Sequence, residues 1–248
     1  MQRLKQATKS ALPTHWWDEL RRLKSLSPDL ESPRAMTHLR RMRVRGLNPR
    51  VVLDVGAAHG DWTKSCQRIF PDAHFMMLEP LPDYETELSE LVKQGRIEYI
   101  PAAAGRTEDS LPLLVPEDPG GSSFLPASRK GDSYFKRSVT VPVLPLSSLD
   151  IPSGPTVLKL DVQGFELEAI AGAEPILDQV EVIIAECSLY PFQQGIPLIH
   201  EVVDRVVQLG YRIYDAADEV RWPSGTLAQL DLVFVSANSQ LRDPGQWD

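Results

Sequence analysis

From residue 50 onward, short apolar runs of strand length alternate with segments in which apolar residues recur at helical spacing. The apolar runs lie at 51–57, 73–79, 97–104, 156–162 and 181–186. The helical segments lie at 61–70, 82–95, 165–177 and 198–210. Strands that are apolar throughout and alternate with helices are typical of a parallel sheet covered by helices on both faces. The sequence therefore predicts an α/β fold.

Two regions depart from this alternation. Residues 105–155 are rich in Pro, Ser and Gly, and their short apolar pieces predict one or two edge strands around a polar loop at 120–138. Near the end of the chain, YRIYDA (211–216) and LAQLDLVFVSA (227–237) flank a tight WPSG turn. A short turn between two strands predicts that they pair in antiparallel fashion.

Composition excludes several classes of protein. The chain has 248 residues, of which 42% are hydrophobic, enough for one large folded domain, alone or with a small appendage. The 2 cysteines are too few for a disulfide framework. No apolar run approaches the roughly 18 residues of a membrane span, and the basic start lacks the apolar stretch of a secretory signal. We therefore expect a cytoplasmic protein.

Charge is distributed unevenly along the chain. Residues 1–50 carry 12 Lys and Arg against 4 Asp and Glu, whereas the remainder carries 14 against 30. Two short helices are predicted in the basic part, at 14–24 and 33–45. The first offers Trp16, Trp17, Leu20 and Leu23 for burial, and the second offers Leu39, Met42 and Val44. They are interpreted as helices packed on the body or as a lid or dimer arm. Attraction to nucleic acid or anionic lipid is the third possibility, which the acidic body opposes.

The strongest local motif follows the first strand, where Asp54, Gly56 and Gly60 stand in the spacing D-x-G-x-x-x-G. Gly56 allows a sharp turn where a ligand approaches the backbone, and Gly60 opens the next helix. Ligands of open α/β sheets bind just beyond the carboxyl ends of the strands. Glycines after a strand are also frequent in turns that bind nothing, and this spacing differs from the G-x-G-x-x-G of dinucleotide enzymes.

Two further segments place charged residues at strand ends. Glu79 ends the second strand, where a carboxylate can accept hydrogen bonds from both hydroxyls of a ribose. Alone it is explained as a solvated carboxylate; with the glycine loop it indicates a nucleoside cofactor, either S-adenosylmethionine or a nicotinamide dinucleotide. Lys159 and Asp161 flank Leu160 in a buried strand, at a cost in desolvation unless something uses them. An internal salt bridge is the competing interpretation for Lys159.

These segments together resemble the FkbM family of S-adenosylmethionine-dependent methyltransferases over about residues 47–236. The shared motifs are DVGAAHG (54–60), LEP (78–80), PAAAG (101–105), LKLDVQGFELEAIAGAEPIL (158–177) and IIAE (183–186). The resemblance implies a class I, Rossmann-like fold: a seven-stranded, mainly parallel sheet with one antiparallel strand and helices on both faces. We accordingly expect a basic helical extension at 1–45 and a methyltransferase domain at 46–248.

The resemblance also implies which residues bind S-adenosylmethionine. They are Asp54, Gly56, Ala57 and Gly60 in the glycine loop, Glu79 at the ribose, Ala103 at the adenine and Asp161 beside the methyl donor. Two positions depart from the family pattern: His59 stands where many relatives carry Asn, and Gln163 stands where Glu is common.

Methyl transfer to oxygen requires alignment of donor and acceptor, and a base or metal that removes the acceptor's proton. Asp161 is the candidate for orientation, and Glu186, which ends the neighbouring strand, is the candidate base or acceptor ligand. Glu186 is also explained as a plain strand-end carboxylate. His59 ranks below it, because a lone loop histidine is more often structural. Two carboxylates suit Mg²⁺, but no dense Asp/Asn cluster follows the fourth strand, so we predict no metal.

The resemblance favours a hydroxyl acceptor on a sugar or a secondary metabolite, with the loop 120–138 as a lid. Its Ser122, Ser123, Tyr134 and Arg137 suit hydroxyl-rich or anionic substrates, although a solvated loop has the same composition. The N/D-P-P-Y/F motif of many amino-group methylases of nucleic acids is absent from the sequence. A homo-oligomer formed through the N-terminal helices is a further possibility. Two other functions stay open: a nicotinamide-dependent oxidoreductase and a non-catalytic nucleoside-binding scaffold.

Overall fold

A central sheet with helices on both faces organises the chain, which the computed structural model describes for residues 33–127 and 134–242. The strands found in those ranges are β1 (Val51–Val55), β2 (His74–Leu78), β3 (Ile97–Ile100), β4 (Ala103–Ala104), β5 (Asp109–Pro116), β6 (Phe135–Leu144), β7 (Thr156–Leu160), β8 (Val180–Ser188), β9 (Tyr211–Arg221) and β10 (Leu227–Ser236). The α-helices are α1 (Pro33–Val44), α2 (Asp61–Gln67), α3 (Glu85–Val92), α4 (Glu166–Ala173) and α5 (Ile199–Gln208). None of these helices is long and apolar enough to cross a membrane.

Seven of the strands form the main sheet, in the order β3-β2-β1-β7-β8-β10-β9. Neighbours from β3 through β8 are parallel, whereas β10 runs antiparallel to both β8 and β9. This topology confirms the class I methyltransferase fold that the resemblance implied, and the antiparallel pairing predicted for the C-terminal strands. The crossover from β3 to β7 brings β1 and β7 together, with Asp54 beside Lys159 in the register.

Helices cover both faces of this sheet, as predicted. Apolar side chains of α1, α2 and α3 join those of the sheet in one buried cluster, and side chains of α4 and α5 join those on the opposite face in a second. The central strands β1 and β7 are buried along their whole length. Sandwiching of the sheet explains why these strands are apolar at nearly every position.

The region 105–155 forms a second sheet of three strands, in the order β4-β6-β5. One or two edge strands were predicted here, and the structure has two, β5 and β6, of which β5 is an edge strand of this small sheet. The single strand predicted over 97–104 was wrong, because the chain forms β3 and β4 there. After β3 the chain turns at Ala102, and β4 then pairs in parallel with β6 instead of continuing along β2. Leu113, Val115, Val141 and Val143 of this small sheet are buried, and the first three belong to the cluster shared with the main sheet.

Helix α1 packs against the main domain rather than standing apart from it. Met36, Leu39 and Met42 are at most 1% exposed and belong to the cluster that includes the sheet. The expected burial of Val44 was wrong: it is 88% exposed. It follows Met42 by two residues and therefore points to the opposite side of the helix. The other predicted helix, at 14–24, lies outside the described residues, and the boundary at residue 45 stays a prediction.

Candidate active site

A cleft opens at the carboxyl ends of β1, β2 and β7, between the main sheet and the small sheet. Of the predicted site residues, Gly56, Glu79, Ala103 and Asp161 border this cleft. The segment that follows β5 closes the other side, where Ser122 and Phe124 reach the cleft. The four other predicted residues are absent from its lining: Asp54, Ala57, Gly60 and Glu186. Because it opens at the carboxyl ends of parallel strands, the cleft lies where ligands of open α/β sheets bind.

Glu79 places a buried carboxylate in the wall of the cleft. Its side chain lies at the end of β2, and the residue is 6% exposed. The backbone N–H of Ala58 donates to Oε2 at 2.9 Å, and that of Leu81 donates to Oε1 at 3.0 Å. Burial raises the pKa of Glu79 to about 7, although both hydrogen bonds act in the opposite direction. The group consequently changes charge near neutral pH when the cleft is empty of ligand.

The glycine loop is shaped by contacts with other parts of the backbone. A Cβ on Gly56 would lie 1.9 Å from the carbonyl oxygen of Asp161, so the close approach that requires glycine is to the end of β7. Gly60 faces away from the cleft, toward Leu88 and Leu91 of α3. Ala57 is buried, and its N–H donates to the carbonyl of Leu78 at 3.1 Å. The loop thus fixes the position of the strand ends around the cleft.

Asp54 and Lys159 form a buried ion pair beneath the cleft. The Nζ of Lys159 lies 3.0 Å from Oδ1 of Asp54 and 3.7 Å from Oδ2 of Asp161, and it donates to the carbonyl of Gly56 at 3.2 Å. Thr63 donates to the other oxygen of Asp54 at 2.7 Å. Burial acts to lower the pKa of Lys159, but the two carboxylates outweigh it and leave that pKa above its ordinary value. Lys159 is therefore an internal salt-bridge partner, the alternative that its sequence context left open.

Asp161 and Glu186 meet at the same edge of the sheet, because Asp161 follows β7 and Glu186 lies near the end of the neighbouring parallel strand β8. The strand was predicted to end at Glu186, but it extends to Ser188. One side-chain amide joins them: Nε2 of Gln163 lies 3.0 Å from Oδ1 of Asp161 and 3.0 Å from Oε2 of Glu186. Gln229 donates to the same oxygen of Glu186 at 2.8 Å. A neutral amide thus donates to both carboxylates and links them.

Gln163 and its surroundings are the functional feature that sequence reasoning missed. Gln163 borders the cleft, has a backbone φ of 50°, and accepts a hydrogen bond at its carbonyl from Ser123 at 2.7 Å. Positive φ is uncommon for a residue with a side chain, and it persists only where the surroundings hold it. The signal available in the sequence was the departure from the family pattern at this position.

Part of the predicted lid belongs to the wall of the cleft. Phe124 packs on Phe165 with ring centroids 4.7 Å apart, which ties the segment after β5 to the start of α4. Arg137 of β6 forms an ion pair with Asp83 at 2.5 Å, across from the main sheet. Tyr134 contacts Phe135 through their rings, and residues 128–133 of the predicted loop lie outside the described ranges.

His59, the second-ranked base, makes structural contacts. Its Nδ1 lies 2.7 Å from Oε2 of Glu87, and its ring packs edge-on against Tyr84 with centroids 4.7 Å apart. The side chain is 56% exposed and is absent from the cleft lining. Among the described residues, no group of three or more His, Cys, Asp or Glu side chains is arranged to hold a metal ion.

Comparison with solved structures finds methyltransferases among the similar chains. A solved structure of methyltransferase FkbM from Methylobacillus flagellatus KT is 17% identical with a TM-score of 0.50; the match covers 74% of this chain and 43% of that one. A precorrin-6y C5,15-methyltransferase from Geobacter metallireducens GS-15 is 13% identical with a TM-score of 0.45, over 81% of this chain and 86% of that one. At these identities the likeness concerns the fold alone, and no curated protein matches the sequence.

The family comparison is more specific than the structural ones. The model of the methyltransferase FkbM domain matches residues 54–213, more than half of the chain. The matched range begins at Asp54, includes Glu79, Asp161 and Glu186, and ends within β9. The chain therefore belongs to the methyltransferase FkbM family.

Proposed function

We propose that the chain is an S-adenosylmethionine-dependent methyltransferase that methylates a hydroxyl group of a small acceptor, a sugar or a secondary metabolite. The observation that carries the proposal is the buried carboxylate of Glu79, which faces the same cleft as Asp161. Family membership supports methyl transfer, and the hydroxyl acceptor is the finer part of the proposal. S-adenosylmethionine, when bound, supplies a methyl group on a positively charged sulfur.

The chemistry of the cleft fits that cofactor. Each oxygen of the Glu79 carboxylate accepts one backbone hydrogen bond, which leaves lone pairs for the two ribose hydroxyls. Ala103 provides an apolar wall for the adenine, and Phe124 and Leu113 extend it. The glycine loop with Asp54, Gly56, Ala57 and Gly60 shapes the side proposed for the amino-acid part of the cofactor.

Asp161 is proposed to orient the positively charged donor. It borders the cleft at the end of β7, and its carboxylate is held by Gln163 and by the more distant ammonium of Lys159. A carboxylate fixed in this way attracts a cationic centre without a change in its own position. Because methyl transfer is an in-line displacement, such fixed alignment contributes directly to the rate.

Glu186 is proposed as the base. Glu186 is absent from the lining of the cleft, so the acceptor hydroxyl is proposed to lie beyond Asp161, on the side of Glu186. As the acceptor oxygen gains the methyl group, its proton passes to a carboxylate oxygen of Glu186. Two amides, from Gln163 and Gln229, hold that carboxylate in place. The acceptor is a small molecule rather than a nucleic acid, because the 30 Asp and Glu after residue 50 outnumber the 14 Lys and Arg and repel a polyanion.

Calorimetric titration with S-adenosylhomocysteine tests the cofactor. We expect the wild-type protein to bind it, and Glu79→Ala to weaken binding by about tenfold or more, since a charge-assisted hydrogen-bond acceptor is lost. Glu90→Ala is the matched control, because Glu90 is an exposed residue of α3 paired with Lys93. Binding of NADH without binding of S-adenosylhomocysteine would favour the oxidoreductase instead.

A methyl-transfer assay across a panel of sugars and hydroxylated metabolites tests the catalytic part. We expect Asp161→Ala to lose activity while its circular dichroism and melting temperature stay close to those of the wild type. Retained turnover would remove Asp161 from the catalytic residues. Binding of the cofactor without transfer to any hydroxyl would contradict the proposed acceptor and favour a non-catalytic scaffold.

A further inference from the structure

Gln163 is the single described side chain that contacts both carboxylates proposed for catalysis. Its Nε2 carries two hydrogens, and it lies 3.0 Å from one oxygen of Asp161 and 3.0 Å from one oxygen of Glu186. One hydrogen is available for each acceptor, so both donor positions of the amide nitrogen are used. Asp161 borders the cleft, whereas Glu186 does not. The amide therefore joins a residue at the cleft to one beyond it.

The backbone around Gln163 holds this amide in position. With φ at 50° the residue adopts the left-handed conformation, and its carbonyl accepts a hydrogen bond from Ser123 at 2.7 Å. Ser123 is 1% exposed. Gly164 follows with a φ of 101° and donates its N–H to the buried carboxylate of Glu166 at 3.1 Å. The turn between β7 and α4 is thus fixed on both sides of Gln163.

The side chain of Glu186, which accepts the second hydrogen bond of this amide, is also held in place. Glu186 accepts a second hydrogen bond from Gln229 at 2.8 Å, through the same oxygen that Gln163 contacts. Gln229 is 8% exposed and lies on β10, which pairs with β8 through Ser188. One amide group, whose own position has little freedom, therefore connects the carboxylate of Glu186 with that of Asp161.

We propose that Gln163 is a positioning residue. Its side-chain amide holds Asp161 in the orientation that receives a cationic ligand, and through the same amide Glu186 influences that orientation. The inference rests on the proposed function, because it concerns the same site. It adds that the contribution of Glu186 to the binding of a positively charged cofactor depends on Gln163. Loss of either side chain breaks this link to Asp161, which keeps its contact with Lys159, and loss of both has no larger effect than loss of one.

A double-mutant cycle tests the coupling without an acceptor. The probes are sinefungin, a cofactor analogue with an amine near the position of the sulfonium, and S-adenosylhomocysteine, which is neutral at sulfur. Gln163→Asn keeps a neutral amide and tolerates positive φ, but its shorter side chain does not span both carboxylates. Glu186→Met removes the acceptor at similar side-chain length. Gln194→Asn, at an exposed residue of the neighbouring loop, is the control.

We expect Glu186→Met to weaken sinefungin binding about tenfold in the wild type and less than about twofold in the Gln163→Asn background. S-adenosylhomocysteine binding should change less than about twofold in every variant, because no cation then faces Asp161. Additive losses, or equal losses for both probes, would overturn the inference. If Gln163→Asn fails to fold by circular dichroism, Gln163→Met takes its place.

The same titrations separate this inference from the proposed function. A wild-type protein that binds neither probe contradicts the proposed function and the inference with it. A wild-type protein that binds both probes, while Gln163→Asn keeps the wild-type preference between them, contradicts the inference alone.

Discussion

At the scale of single residues, the carboxylates in and beneath the cleft differ in their environments. Asp54 is fully buried and paired with Lys159, so it serves the structure of the strand ends. Among the residues that the structure describes, Glu79 has no cationic partner at hydrogen-bond distance and accepts hydrogen bonds from two backbone N–H groups, which leaves lone pairs of its carboxylate for a ligand. Such a group is poised to change its protonation state when a ligand binds.

Binding of S-adenosylhomocysteine should release a proton near neutral pH. The pKa of Glu79 is about 7 in the free protein, because burial disfavours its charge. Ribose hydroxyls that donate to the carboxylate favour the ionised form and lower that pKa, so ligand affinity rises with pH up to about 7 and is level above it. Calorimetry at pH 6.5 in two buffers of different ionisation enthalpy measures the released proton.

Glu79→Gln is the matched variant for this measurement, since it keeps the size of the side chain and removes the titrating group. Its binding enthalpy should be the same in both buffers after correction for dilution. A wild-type protein whose affinity falls as the pH rises from 6 to 7 would contradict the proposed contact between Glu79 and the ribose.

The sequence was informative about residues at strand ends and silent about how they pair. Position after an apolar run placed Glu79 and Asp161 at strand ends, and the family resemblance implied that both bind one cofactor; both border one cleft, because parallel strands end at one edge of a sheet. The contact between Gln163 and two carboxylates depends on a turn in which Gln163 has a positive φ. Such a conformation is not predicted from sequence for a residue other than glycine. Gly60 likewise faces away from the cleft because it packs against α3, a helix that comes later in the chain.

At the scale of elements, the contact between the ends of β1 and β7 is one of the closest backbone approaches in the fold. Gly56, with φ at 79°, lies so close to the end of β7 that a methyl group there would meet a backbone carbonyl. Backbone atoms relax less easily than the ends of side chains, so the two strands must separate to admit a larger residue. The geometry of the cleft therefore depends on a packing contact within the sheet.

Gly56→Ala should destabilise the protein by about 3 kcal/mol or more, as the sum of a left-handed backbone penalty and a steric clash. Gly195→Ala is the control, because Gly195 has nearly the same φ of 77° but open space around it. That variant should lose only about 1 kcal/mol. Urea denaturation of both variants gives the comparison, and equal losses would show that the clash at Gly56 is absorbed without cost.

Helix α1 offers a second comparison, between its buried and exposed sides. Leu39→Ala should cost about 2–5 kcal/mol, because the side chain is fully buried in the cluster shared with the sheet. Val44→Ala should change the stability by less than about 0.5 kcal/mol, since Val44 is 88% exposed. Denaturation measurements on both variants decide whether α1 is an integral part of the folded domain. A small loss for Leu39→Ala would identify it as a loosely attached arm.

The strands illustrate where sequence pattern stops being sufficient. Length and apolar content identified β1, β2 and β7, because a strand that is buried on both faces is apolar at nearly every position. The run at 97–104 looks like one strand by the same criterion, yet it divides between two sheets after Ile100. Which sheet a short apolar segment joins is decided by its partner, β6, about 40 residues later in the chain.

At the scale of the whole molecule, charge and architecture are connected. The basic segment at the start of the chain continues into α1, whose Met36, Leu39 and Met42 lie in the main cluster. His38 of α1 lies 2.8 Å from Asp215 of β9, which adds a polar contact to the apolar burial. Both contacts attach the helix to the domain.

The cleft lies between two sheets, and a bound cofactor should therefore stiffen both of them. The two sides are joined by apolar contacts beneath the small sheet, by the ring contact of Phe124 with Phe165 and by the hydrogen bond from Ser123 to Gln163. The ion pair between Arg137 and Asp83 is half-exposed, and such pairs contribute little to stability. S-adenosylhomocysteine in the cleft would contact the glycine loop on one side and Leu113 and Phe124 on the other. Its binding then adds a connection that the free protein lacks.

Hydrogen–deuterium exchange measures this connection directly. With saturating S-adenosylhomocysteine, amides of residues 109–124 should exchange at least about tenfold more slowly, together with those of 55–60, because opening the small sheet then requires loss of the ligand. The turn at 222–226, which joins β9 and β10 beyond the cleft, should keep its rate. Slower exchange at 55–60 alone would mean that the ligand binds to the main sheet and leaves the small sheet free to move, so that the segment after β5 would no longer count as a wall of the cofactor site.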